Sequence, residues 1–98
     1  MVALDVVRSW YEDELAALEL AGLRVSFHEG PLDRNPRSAS IAMDSDAGVG
    51  QLTVWESGAT ELIVDLIAGS EPPTVDDRVI NDRDGFVRAV ERMVEALT

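Results

Sequence analysis

Apolar residues recur at helical spacing at the start of the chain. Leu4, Val7, Tyr11, Leu15 and Leu18 form one stripe of a helix expected over residues 3–21. Trp10 falls at the edge of that stripe, Arg8 and Glu12 sit four apart on the exposed side, and Gly22 supplies the stop. The period then changes to two. Leu23, Val25 and Phe27 alternate with Arg24, Ser26 and His28, and Ala39, Ile41 and Met43 alternate with Ser38, Ser40 and Ala42. Both runs predict half-buried strands. Between them Glu29 to Arg37 holds Gly30, Pro31 and Pro36 and reads as a loop, and Asp44-Ser45-Asp46-Ala47-Gly48 reads as a turn.

The next segment is a hairpin whose geometry follows from parity. Gly50 to Trp55 and Ala59 to Leu66 are its strands, with Glu56-Ser57-Gly58 between them. A two-residue turn at Ser57-Gly58 would put Val54 on the same side as Glu61 and mix the faces. A three-residue loop pairs Leu52 with Leu62 and Val54 with Thr60, and places glycine at the left-handed position such a loop requires. This register predicts one face of Leu23, Val25, Phe27, Ala39, Ile41, Met43, Leu52, Val54, Leu62, Val64 and Leu66 beneath the helices. The other face carries Arg24, Ser26, His28, Ser40, Gln51, Thr53, Trp55, Glu61, Ile63 and Asp65.

After Ser70-Glu71-Pro72-Pro73, a loop, Thr74 to Ile80 is a candidate short edge strand that Asp76 and Asp77 weigh against, so the sequence leaves the strand open. Asn81 or Asp82 caps a final helix with Phe86, Val90, Met93 and Leu97 on its buried stripe, flanked by Val87 and Val94. The order is helix, an antiparallel meander of four to five strands, helix. The expected fold is an α+β two-layer sandwich with the helices on one face of the sheet, in a single domain over residues 1–98.

Composition sharpens this picture at one point, the charge. Hydrophobic residues at 46% and charged ones at 28% are a globular balance that argues against disorder. Nineteen carboxylates face eight arginines and no lysine, for a net charge of -11. Such a field repels nucleic acid and anionic membrane, and it favours and speeds encounter with a basic partner. The competing reading is that acidity only keeps the protein soluble. Absence of cysteine removes disulfides and thiolate metal sites. The first residues turn acidic at Asp5 and charges interrupt every apolar run, so neither a signal peptide nor a transmembrane span is expected, and the location expected is cytoplasmic.

Candidate chemistry is sparse. His28 stands two residues from Ser26, but no nucleophile elbow surrounds the serines, and a surface histidine is the simpler reading. Gly48-Val49-Gly50 leads into a strand, whereas a phosphate cradle needs a helix behind its glycines. Around Asp82-Arg83-Asp84-Gly85 several positions of a calcium loop match, but its first ligand would be Ile80. Capping explains those carboxylates more simply, and Asp44-Ser45-Asp46 fails at two positions of such a loop. No cofactor, metal site or catalytic residue is expected. What remains is Trp55, by parity on the free face beside Thr53, Glu61, Ile63 and Asp65. Tryptophan ringed by carboxylates is a frequent interface anchor, and the alternative is a second small core beneath a loop. Thr53, Trp55, Glu56, Glu61, Ile63 and Asp65 are the candidate partner-binding residues, with Asp44 and Asp46 as a second edge.

The run Ala39-Ser40-Ile41-Ala42-Met43-Asp44, with Gly50-Gln51-Leu52-Thr53-Val54-Trp55-Glu56-Ser57-Gly58 and Glu61-Leu62, resembles the TriTu-type immunity proteins of bacterial polymorphic toxin systems. The resemblance covers most of the chain in element order and about twenty residues in motif; the two helices match in pattern alone. It implies a non-catalytic protein that neutralises a cognate toxin in the producing cell by direct binding, its acidity complementing a basic toxin surface such as a nuclease site. It transfers no catalytic residues. The alternative is a small acidic secretion-type chaperone or dimeric adaptor that holds an effector segment. A chaperone would be a dimer binding an unfolded segment, whereas an immunity protein binds a folded domain. The sequence leaves homodimerisation open.

Overall fold

A computed structural model describes residues 3–31, 33, 35–67 and 74–98. The chain runs α1 (Asp5–Leu20), β1 (Arg24–Glu29), β2 (Ser38–Ser45), β3 (Gly48–Trp55), β4 (Ala59–Leu66), β5 (Thr74–Val79) and α2 (Arg83–Leu97). The five strands pair in sequence order, each antiparallel to the next. Both helices cover one face, α1 over β1 and β2, α2 over β3 and β4. This is the expected α+β arrangement.

Local chemistry explains where the elements end. The chain leaves α1 through Gly22 at φ +92, with Gly22 N–H donating to Glu19 C=O and Leu23 N–H to Leu18 C=O, the paired bonds of a Schellman stop. α2 starts at Asp82, whose Oδ1 accepts from Gly85 N–H at 2.8 Å, a side-chain N-cap. The β3–β4 hairpin has the register that parity requires, Leu52 opposite Leu62 and Val54 opposite Thr60. Gly58 sits at φ +96, and a Cβ there would come within 2.5 Å of the Ile80 carbonyl oxygen. Any side chain is therefore excluded both by conformation and by the strand exit behind it.

Core packing joins the two layers. Val7, Trp10 and Leu18 from α1 and Phe86, Ala89, Val90, Met93 and Leu97 from α2 meet Ala39, Ile41, Met43, Leu52, Val54, Leu62 and Val64 of the sheet. Each such large side chain contributes roughly 1.5–3 kcal/mol by leaving water. Trp10 and Phe86 cross edge to face, 6.0 Å between centroids at 83°, which ties the two helices together. Gly50 lets the end of α2 lie directly on the β3 backbone: a Cβ there would stand 2.9 Å from Met93 Sδ and 3.2 Å from Leu97 Cδ1.

Five expectations need correction. Trp10 is buried at 6% exposure and not at the edge of its stripe, because its ring reaches Phe86 of α2. Leu4, Tyr11 and Leu15 are the half-buried members, Tyr11 stacking on Phe27 instead. Glu29 closes β1 and is not part of the loop. Asp44 and Ser45 belong to β2 and Gly48 to β3, so the turn is only Asp46-Ala47. Leu66 has core parity yet is 44% exposed, because it lies opposite Gly48, past the last buried pair, Gly50 and Val64. The edge strand does form, ending at Val79, with Ile80 buried after it. The loop at residues 70–73 lies outside the described residues.

Candidate partner-binding face

The pleat sends alternate residues of every strand to the side that no helix covers. Three rows result. Ser40, Thr53, Glu61 and Asp77 stand side by side across β2 to β5, as do Ala42, Gln51, Ile63 and Val75, and then Asp44, Val49 and Asp65 across β2 to β4. Trp55, opposite Ser38, is half-buried at the far end of the same face. The structure thus brings together Thr53, Trp55, Glu61, Ile63, Asp65 and Asp44. Glu56 lies in the adjoining turn, and Asp46 is exposed in the β2–β3 turn, apart from the rows.

The carboxylates on and around this face are not equivalent. Arg24 Nε donates to Asp44 Oδ1 at 3.0 Å across β1 and β2, and Arg37 Nε lies 3.3 Å from Glu56 Oε1. Exposed pairs of this kind contribute little to stability, but they already engage two of the predicted acids. Glu61, Asp65 and Asp77 have no arginine partner among the described residues. Asp76, one residue from Asp77, points to the covered side and is the counterexample. It accepts from Arg78 at 2.7 Å and Arg92 of α2 at 2.6 Å. Those hydrogen bonds, Arg78 first, hold its carboxyl below the usual aspartate value.

Apolar groups fill the gaps between the acids. Val49, Ile63, Val75 and Val79 are exposed at 51%, 36%, 58% and 69%, and all four share this face by register. A shallow groove of about 480 Å³ runs along it between β1 and β4, lined among others by Arg24, Ala42, Asp44, Val49, Gln51 and Ile63. Val49, Val75 and Asp77 were absent from the sequence-predicted site. The signal for two of them was available: Val75, Asp77 and Val79 alternate, which is the pattern of one face of a strand.

On the opposite side of the molecule a second hollow of about 620 Å³ lies between the helices, bordered by Glu14, Arg83, Glu91 and Glu95. A third hollow, of about 480 Å³, is bordered by Asp76, Asp77 and Asp82 at the β5–α2 junction.

The catalytic arrangements fare differently. Ser26 Oγ lies 3.2 Å from His28 Nε2 on the uncovered face, but no carboxylate forms an ion pair with His28 among the described residues. A serine and a histidine without an orienting acid do not make a triad. Asp82, considered for calcium, spends its oxygen on the Gly85 amide. Among the described residues no cluster of three metal-ligating side chains occurs, and no helix is long and apolar enough to cross a membrane.

Comparison with known families adds one finding. A family model described as "Immunity protein TriTu" matches residues 5–92, from the first residue of α1 to the last turns of α2. None of the curated proteins and none of the solved structures compared matches the chain.

Proposed function

Because the chain belongs to the TriTu immunity protein family, its role is that of an immunity protein, and we propose that it neutralises a cognate bacterial toxin by direct, non-catalytic binding. The observation that carries this is the uncovered sheet face, where exposed apolar residues lie together with carboxylates that have no arginine partner among the described residues. Core residues at the centre of an interface supply burial and the charged rim selects the partner.

The bound surface is Thr53, Trp55, Glu56, Glu61, Ile63 and Asp65, with Asp44 and Asp46 at its edge. The net charge of -11 matches a toxin with a basic surface, such as one shaped to hold nucleic-acid phosphates, and neither nucleic acid nor membrane is a partner. The complex forms in the cytoplasm of the producing cell.

The test expresses the toxin domain encoded beside this gene with and without the chain and scores growth. Rescue of growth together with a stable complex of the folded toxin domain supports the reading. Continued growth arrest with both proteins soluble would sink it. The outer edges of β1 and β5 are unpaired among the described residues, which favours a second reading, a chaperone or dimeric adaptor adding an effector segment as a strand. Binding to an unfolded segment but not to the folded domain would select that one.

A further inference from the structure

Glu61 of β4 and Asp77 of β5 are direct cross-strand partners. They share the uncovered face, and no arginine pairs with either among the described residues. Like charges set opposite each other weaken a sheet. Next to this pair, two residues along each strand and so about 7 Å away, come Ile63 and Val75, also cross-strand partners and both exposed. One further step along β4 comes Asp65, beside Val49. The face therefore repeats acid, apolar, acid along the strand direction.

Building on the toxin-binding reading, we propose that this face receives a toxin segment in which an apolar side chain is flanked by arginine or lysine. The apolar group seats on Ile63 and Val75. One flanking cation bridges Glu61 and Asp77, and the other meets Asp65. A single guanidinium has donors enough for two carboxylates, and its arrival turns a repulsion within the sheet into two attractions. Asp44 and Glu56 play a smaller part, since Arg24 and Arg37 already hold them. A second copy of this chain is a poor occupant, because it would bring the same carboxylates against these and add its own charge of -11.

The contact predicts that folding and binding respond in opposite directions to one substitution. Asp77→Lys places unlike charges across β4 and β5, so the isolated protein should melt about 2–4 °C higher. The same change should weaken binding at least tenfold to the inactivated toxin domain encoded beside this gene, measured by titration calorimetry. Ile63→Ala should weaken binding about tenfold with the fold intact. Glu91→Lys, in the recess between the helices, makes the same charge change and should alter affinity less than threefold.

Equal losses for Glu91→Lys and Asp77→Lys would show a diffuse field and overturn the contact. So would unchanged affinity for both Asp77→Lys and Ile63→Ala while the wild-type chain binds, a result that leaves the immunity role standing. A dimer by sedimentation that dissociates on Ile63→Ala would assign the face to a second copy. If the wild-type chain does not bind the domain, the toxin-binding reading itself falls, and the contact with it.

Discussion

The two faces of this sheet are made from alternate residues of the same strands, yet they treat charge in opposite ways. On the covered side Asp76 sits between Arg78 and Arg92, and the arginine from α2 comes from sixteen residues away to complete the arrangement. On the uncovered side its neighbour Asp77 faces Glu61, and no arginine among the described residues pairs with either. The covered carboxylate is neutralised from within the chain; on the uncovered side Asp44 has Arg24, but Asp65, like Glu61 and Asp77, has no arginine partner among the described residues. The apolar residues divide likewise. Leu62 and Val64 are 4% and 7% exposed, while Ile63 between them is 36% exposed. Burial on one side holds the fold together, and the other side leaves apolar area exposed.

Substitutions can break or sharpen that contrast. Phe86→Ala should cost the most, about 3–5 kcal/mol in urea denaturation, since Phe86 is wholly buried against Trp10. Ile63→Ala on the other face should stay within about 1 kcal/mol. Comparable losses would mean that both faces carry the fold. Gly50→Val tests the thinnest place between them. Its side chain would enter the space of Met93 and Leu97, costing about 1–3 kcal/mol, whereas Gln51→Ala beside it should leave the melting curve nearly unmoved.

Asp82→Ala should cost about 1 kcal/mol by removing the α2 cap, and it should leave toxin affinity unchanged, because the cap is on neither face. The smallest effect is the pH response of Asp76. Its folded value lies below the ordinary one, so its contribution is complete above roughly pH 3.9 and fades as the pH falls through the lower folded value. Urea midpoints of the wild type and Asp76→Asn should differ at neutral pH and converge in acid.

Much of the fold was legible because parity is a strict rule. A one-residue slip in the β3–β4 hairpin would have buried Glu61 and exposed Leu62, so the three-residue loop and its register followed from the residues themselves. Helix α2 was equally plain, its stripe and cap both readable. What local pattern could not show includes contacts with residues far away in sequence. Trp10 is central because Phe86 is opposite it, and β5 tolerates Asp76 because Arg92 reaches it. The uncovered face was legible in outline but its pairing of charges was not. No local pattern announces that Asp44 is engaged by Arg24 and Glu56 by Arg37, or that Asp77 comes to rest against Glu61.

The register of β4 also has a bearing on heredity. Glu61, Ile63 and Asp65 alternate in the gene with Leu62 and Val64, so neighbouring codons are under unrelated constraints. A lineage can revise the first set one base change at a time and leave the melting temperature almost where it was. Substitutions at Glu61, Ile63 and Asp65 therefore need not disturb the core, even though their codons are interleaved with those of Leu62 and Val64.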